Sequence, residues 1–209
     1  MSRLKIALTK GRLQDKTLEL LKKLNMDTSE IEGKSRKLIF SIPNSNLDIV
    51  LAKAADVITY VEHGACDIGV VGKDTIMEST ADINELLELG FGKCKFALAT
   101  LNGTDLYNTH KSITIATKYP KVARDYFLKK GIDIDVVKIE GSVELAPILN
   151  IADGIVDIVE TGTTLKENGL SVIEEIADIS ARLIGNIASM KLKKKEINEF
   201  VERIEGVMK

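Results

Sequence analysis

Short apolar runs alternate with segments of helical period along nearly the whole chain, and this alternation limits the fold more than any other feature. Leu4–Leu8, Leu47–Ala52, Asp67–Val71, Lys95–Leu101, Ser112–Thr117, Asp135–Ile139 and Ile155–Val159 read as short buried strands. Lys37–Ile42 and Leu170–Ile179 read as further strands, the former separated from Leu47–Ala52 by the turn Pro43-Asn44-Ser45-Asn46. Leu13, Thr17, Leu20, Leu21 and Leu24 recur at helical spacing. Asp56 reads as the cap of a helix that Gly64 stops, and Ser142 as the cap of Val143–Leu149. Pro120–Lys130 carries proline in its first turn and Gly131 at its stop. Lys193–Met208 places Ile197, Phe200, Val201 and Ile204 on one helical face. Such alternation predicts α/β layers with mostly parallel sheets. The polar stretch Asn102–Lys111 reads as a crossing from one strand–helix set to a second. Two sets predict two lobes with a cleft between them, and ligands beyond the carboxyl ends of the strands.

Composition narrows the function. The 209 residues suit one compact body or two lobes of roughly 100 residues each. The 44% of hydrophobic residues is enough to bury a core. With 29 basic and 31 acidic residues, the formal charge of −2 lacks the basic excess of a nucleic-acid binder. Lys22-Lys23 and Lys191–Lys195 read as solvated helix faces. No apolar run reaches the length of about 18 residues needed to span a bilayer, and no signal peptide is evident, so a cytoplasmic protein is expected. Cys66 and Cys94 stand apart, which points to a reducing compartment rather than a disulfide framework. With only His63 and His110 besides, a zinc site is not expected. Any metal should be a hard cation carried on substrate phosphates.

The richest chemical segment is Asp157-Ile158-Val159-Glu160-Thr161-Gly162-Thr163-Thr164-Leu165. Here a strand runs into Thr-Gly-Thr-Thr and then a short helix. Glycine lets a backbone approach a ligand closely, helix-start N–H groups have no intrahelical partner, and three hydroxyls stand beside them. Together they form a cup for a phosphate dianion; the competing reading is a plain helix cap. Asp157, at the strand end, could accept hydrogen bonds from ribose hydroxyls. Asp153 lies four residues earlier and would share its face in an extended segment, or would serve as a turn residue before Gly154. Lys10 and Arg12 flank Gly11 after the first strand, as phosphate-binding cations or as surface charge. Glu144 stands either as a substrate contact or as a helix-start residue.

The wider stretch from Gly141-Ser142-Val143-Glu144-Leu145-Ala146-Pro147 through Ala152-Asp153-Gly154-Ile155-Val156-Asp157 to Leu165-Lys166-Glu167-Asn168-Gly169-Leu170 resembles the signature region of the ATP phosphoribosyltransferases, which open histidine biosynthesis. Ala7-Leu8-Thr9-Lys10-Gly11-Arg12-Leu13, Tyr60-Val61-Glu62-His63-Gly64, Asp67-Ile68-Gly69-Val70-Val71-Gly72-Lys73-Asp74 and Ala181-Arg182-Leu183-Ile184-Gly185-Asn186 resemble other blocks of that family, in order. Lys53 stands where the family usually has arginine, and lysine lacks the planar guanidinium fork. Ile58 and Thr9 stand at positions where proline is common.

The resemblance implies two lobes like those of the type II periplasmic binding proteins, at about 1–98 plus 180–209 and 99–179, with the active site in the cleft. It implies transfer of the phosphoribosyl group of phosphoribosyl pyrophosphate to N1 of ATP, with release of pyrophosphate. Lys10, Arg12 and Asp157 would be catalytic. Asp153, Asp157, Glu160, Thr161, Gly162, Thr163, Thr164 and Leu165 would bind phosphoribosyl pyrophosphate. Gly11, Lys53 and Glu144 would bind the nucleotide, and Mg2+ would arrive on substrate phosphates. The chain resembles the short form of the family, which lacks a C-terminal regulatory domain and works with a regulatory subunit resembling histidyl-tRNA synthetase; a homodimer would be the building block. A non-catalytic two-lobed module for small anions or nucleotides is the alternative.

Overall fold

Strand β1 (Leu4–Thr9) buries Leu4, Ile6 and Leu8 on one face and Ala7 on the other, so it must be covered on both sides. The computed structural model, which describes residues 3–33, 36–108 and 111–208, builds that cover from the elements that follow. They are α1 (Arg12–Lys23), α2 (Ser29–Glu32), β2 (Ile39–Ser41), β3 (Leu47–Ala52), α3 (Ala54–Glu62), β4 (Ile68–Gly72), α4 (Lys73–Glu78) and β5 (Asn84–Glu88). Next come β6 (Cys94–Leu101), β7 (Ile113–Thr117), α5 (Pro120–Lys129), β8 (Ile134–Lys138), α6 (Leu145–Ile148), β9 (Gly154–Val159) and α7 (Thr163–Glu167). The chain closes with β10 (Leu170–Ile179), β11 (Ala181–Gly185), α8 (Ile187–Leu192) and α9 (Lys194–Met208).

Two compact units result. The first comprises Met1–Ile76, Thr80–Gly92 and Ser180–Lys209, and the second Met77–Ser79 with Lys93–Ile179. The first unit's sheet runs β2-β3-β1-β4-β11-β5 and the second's β10-β6-β9-β7-β8. β1 is parallel to β3 and β4, and β7 to β8 and β9. The other pairings are antiparallel, so the sheets are mixed rather than mostly parallel. The reversed members are β2 and β11 in the first sheet and β6 in the second, which runs against both of its neighbours, β9 and β10.

The boundary near residue 98 is also corrected. Such a cut would divide β6, which pairs along its length with β10 and β9, and the division falls between Gly92 and Lys93 instead. Residues 102–108 and 111 consequently lie inside the second unit and are not a crossing; positions 109 and 110 of that stretch are outside the described residues.

In the first unit, the Leu4, Ile6 and Leu8 face packs in one cluster with Leu18 and Leu21 of α1 and with Ile197, Phe200 and Ile204 of α9. The apolar face of Lys193–Met208 is thus core. The opposite face packs on Val57, Ile58 and Val61 of α3. That helix sits so close that a Cβ at Gly69 would meet Val57 Cγ1 at 2.8 Å and Val61 Cγ2 at 2.9 Å. α3 starts one residue after Lys53, leaving Asp56 in its first turn rather than at its cap. Asp67 is buried and accepts from Lys5 N (2.8 Å), Ser189 Oγ (2.8 Å) and Lys193 Nζ (2.7 Å), binding β1 and the α8 region to the start of β4.

In the second unit the two sheet faces differ. Phe96, Leu98, Ile113, Ile115 and Val156 pack under α5 with Phe127. The other face is built from Ala97, Ala99 and Ala116, with Ile155 and Val159 of β9, and is covered by Ala146 of α6 and Leu165 of α7. Small residues there let two short helices lie close to the sheet. α6 is shorter than the sequence suggests and has no side-chain cap from Ser142. At the edge, Lys130 lies over the rings of Tyr107 (5.0 Å) and Tyr126 (4.9 Å) and pairs with Glu174, tying α5 to β10. Burial pushes the Tyr107 hydroxyl up to about 12, and its hydrogen bond to Glu174 adds to this.

Replacing Asp67 by Ala removes the acceptor of three donors, one of them a partly buried ammonium. Breaking such a pair costs about 3 kcal/mol or more, which for a chain of this size lowers Tm by roughly 6–12 °C. Differential scanning calorimetry of Asp67→Ala checks this; an unchanged Tm would contradict the role.

Candidate functional site

The strand β9 is the middle member of its sheet and exits into the turn 160–162. Gly162 is the cap residue of α7 and sits in the left-handed region at φ 74°. A Cβ there would meet only Val159 Cγ1, at 3.8 Å, so the demand for glycine is conformational and not steric. No side chain caps α7. Thr161 and Thr163 place their hydroxyls 3.0 Å apart, and the Thr163 N–H reaches Thr161 Oγ1 only at 3.4 Å, too long for a strong bond. The plain-cap reading therefore does not describe this turn. Thr161, Thr163 and Thr164 are exposed, while Leu165 is a core residue whose backbone alone can serve a ligand. With five residues, α7 contributes little dipole field, and the donors at its start are local N–H groups and hydroxyls.

An open cavity of about 270 Å³ is lined by Glu144 and by residues 157–165. Asp157 lies on the same face of β9 as Ile155 and Val159, opposite Ala97 of β6. Burial pushes its carboxyl above the ordinary aspartate range. The Ile158 N–H opposes this, the Glu144 charge adds to it, and Lys118 opposes it. The structure thus brings together Glu144, Asp157, Glu160, Thr161, Gly162, Thr163, Thr164 and Leu165.

Asp153 is not among them. It precedes β9, at the opposite end of the strand from the turn. Its carboxylate accepts from Thr114 N (2.9 Å) and Lys111 Nζ (3.0 Å), and its own N–H donates to Thr114 O (2.8 Å). Burial would raise this carboxyl, but the Thr114 N–H and the Lys111 ammonium hold it low. The residue staples the start of β9 to β7. Four residues of extended chain cover about 13 Å, so sharing a face with Asp157 does not mean sharing a site.

In the first unit, β1 and β3 end side by side with Thr9 opposite Ala52, and Lys10 N donates to Ala52 O at 3.0 Å. Each strand then feeds a helix. Gly11, at φ 95°, caps α1 and Lys53 caps α3, neither helix being capped by a side chain. Lys10, Gly11, Arg12 and Lys53 are all exposed at this carboxyl edge. Lys73, after β4, pairs with Glu85.

The HisG: ATP phosphoribosyltransferase family model matches residues 53–206. An ATP phosphoribosyltransferase of Clostridium kluyveri is 55% identical over 203 residues, covering 97% of this chain and 93% of that protein. One from Clostridium botulinum is 56% identical over 211 residues and covers both chains completely. The chain belongs to the ATP phosphoribosyltransferase family. A chain of the ATP phosphoribosyl transferase (HisG:HisZ) complex from Thermotoga maritima superposes with TM-score 0.84 at 32% identity, covering 98% of each chain. The periplasmic aliphatic sulphonate binding protein SsuA of Escherichia coli matches 98% of this chain and 72% of its own at TM-score 0.60 and 12% identity, which shows the fold alone: that of the two-lobed type II binding proteins.

Membership of the ATP phosphoribosyltransferases favours an enzyme over a non-catalytic binding module. Lys118 is a residue the sequence pattern does not single out, although Thr117-Lys118-Tyr119-Pro120 is another strand-to-helix turn.

The raised Asp157 carboxyl makes a prediction for folding. In the folded protein the ionised form is disfavoured, so the cost is present above the unfolded pKa and vanishes as pH falls below it. Asp157→Asn should therefore melt at or above the parent temperature at pH 7, with the gap closing as pH is lowered through the carboxylate range. Thermal melts across pH check this; a variant less stable at pH 7 would contradict it.

Proposed function

We propose that this chain joins ATP to phosphoribosyl pyrophosphate, with the second unit's cup holding the sugar phosphate and the first unit's cationic edge holding phosphates of the nucleotide or of the leaving group. The observation that carries this reading is the uncapped Thr161–Thr164 turn beside a partly buried Asp157. Thr161, Thr163 and Thr164 donate hydroxyls to the 5′-phosphate, and Gly162 lets the backbone N–H groups approach it. Asp157 accepts from ribose hydroxyls.

The reaction asks for no strong base. Adenine N1 already carries its lone pair; it bonds to C1 of the ribose, the C1–O bond breaks, and pyrophosphate leaves with that electron pair. Positive charge builds on the ribose ring in the transition state. The protein positions the two reactants, lowers the charge cost at the leaving group and excludes water. Lys10 and Arg12 supply cationic donors to phosphate oxygens, while Gly11 keeps the turn between them close to the ligand. Lys53 offers a point charge at the same edge.

Among the described residues no group of three potential metal ligands forms. The donor set suits Mg2+ that arrives on substrate oxygens, with Asp157 and Glu144 as the carboxylates able to complete its shell. When bound, the ion neutralises pyrophosphate.

We further propose a cytoplasmic setting, consistent with Cys66 and Cys94 not being joined in a disulfide; no helix among the described residues is long and apolar enough to cross a membrane. The working assembly is a mixed oligomer, built on a homodimer, with a regulatory subunit of the kind paired with the Thermotoga maritima relative.

Incubation with ATP, phosphoribosyl pyrophosphate and Mg2+ should release pyrophosphate; binding without release would contradict the proposal. Hydrogen bonds to a charged group contribute about 1.5–3 kcal/mol each. Thr161→Ala or Thr164→Ala should then lower kcat/KM for phosphoribosyl pyrophosphate by roughly 10- to 150-fold, with a smaller change for ATP. Wild-type values in both variants would exclude the cup. The chain alone should be weakly active and insensitive to histidine, both properties changing when the partner is added. Saturable histidine inhibition of the isolated chain would contradict that assembly.

A further inference from the structure

Two carboxylates of the sugar-phosphate cup, Glu144 and Asp157, have no lysine or arginine in the same lining, while Lys166 and Glu167 line the adjoining cavity at the 161–163 turn. A ligand bearing a phosphate and a pyrophosphate carries more negative charge than one Mg2+ offsets, so a further cation beside these carboxylates lowers the repulsion. The second unit supplies one at the end of β7.

In the parallel ladder of β7 and β9, Thr117 is the partner of Val156. One step further along the same register sets Lys118 beside Asp157. Alternation gives the same answer independently. Thr117 faces away from the cup with Ile115, whereas Ala116 packs in the cluster of Ile155 and Val159, and Lys118 is on its side of the strand. Lys118 also acts electrostatically on both Asp157 and Glu140.

Its backbone is fixed from both sides. Thr117 is fully buried and donates its hydroxyl to Val156 O at 2.6 Å, while accepting from Tyr119 N at 2.9 Å. Tyr119 packs edge-on against Phe96 with centroids 4.8 Å apart, and Pro120 opens α5. A lysine held this firmly at its Cα, yet exposed and in no ion pair among the described residues, is poised for an external anion. The neighbouring Lys138 differs, being paired with Glu140 at 2.8 Å.

We propose that Lys118 binds the pyrophosphate group of phosphoribosyl pyrophosphate. The argument rests on the function proposed above, and it adds a leaving-group contact from the second unit itself. This assignment sets the 5′-phosphate in the 161–164 turn, the ribose over Asp157 and the group on C1 to the β7 side of Asp157, where Lys118 stands. The ammonium offsets the cup's carboxylates in the ground state and gains strength as charge collects on departing pyrophosphate.

The test compares Lys118→Met and Lys118→Arg with the parent. Parent turnover of ATP and phosphoribosyl pyrophosphate first establishes the reaction itself; its absence would sink the general reading and not this contact alone. Given turnover, Lys118→Met should lower kcat/KM for phosphoribosyl pyrophosphate by at least 10-fold, leave KM for ATP within 2-fold and melt near the parent, with partial recovery in Lys118→Arg. Product inhibition then separates the subsites. Pyrophosphate should inhibit Lys118→Met at least 10-fold more weakly, while inhibition by ribose 5-phosphate stays within 2-fold. Unchanged pyrophosphate inhibition, or a loss confined to ribose 5-phosphate, would overturn the proposal.

Discussion

The second unit depends on keeping a carboxylate, Asp157, at the end of a strand with neighbours on both sides. Burial there disfavours its charge, and the nearby Glu144 adds to the cost. A fold accepts such a penalty only when surrounding elements leave the group no alternative. β9 is held between antiparallel β6 and parallel β7, and the alanines 97, 99 and 116 let α6 and α7 close over its face. The same confinement sends the chain out through a left-handed Gly162, which in turn leaves the threonine hydroxyls outside any helix cap. One strand thus fixes both the acid and the anion cup.

The first unit solves a different problem with similar parts. β1 and β3 end in register and each feeds a helix whose cap is not a side chain, so Lys10, Gly11, Arg12 and Lys53 gather at one edge. Asp67, by contrast, directs both carboxylate oxygens at Lys5, Ser189 and Lys193. It is an acid at a strand start that the chain uses for cohesion. Three aspartates differ by position along a strand more than by residue type: Asp67 and Asp153 precede their strands and hold the fold together, and Asp157, the proposed ribose contact, lies near the end of its own.

That distinction marks how far the sequence could be read. Most strands with short apolar runs were legible to within a residue or two, because a run of that length bounded by turn residues is too short for a helix, but β5 and β11 were missed. The turns at 10–12 and 160–164 were legible because glycine among basic or hydroxyl residues has few structural uses. Three things were hidden. The sheets are mixed, because the reversed directions of β2, β6 and β11 are set by how the chain connects and not by strand composition. β6 belongs wholly to the second unit, because pairing with β9 and β10 is non-local. The separation of Asp153 from Asp157 was hidden as well: a four-residue interval gives the face but not the end of the strand, and only the bond to Thr114 N reveals the staple.

The central claim, that the turn after β9 is where phosphoribosyl pyrophosphate is held, is most directly tested by amide hydrogen exchange with that ligand and Mg2+ in the absence of ATP. The account predicts slowed exchange in the peptide covering 157–168, where orphan N–H groups gain phosphate oxygens as acceptors, with little change in α9. Unchanged exchange across 157–168 at a ligand concentration that saturates turnover would contradict it.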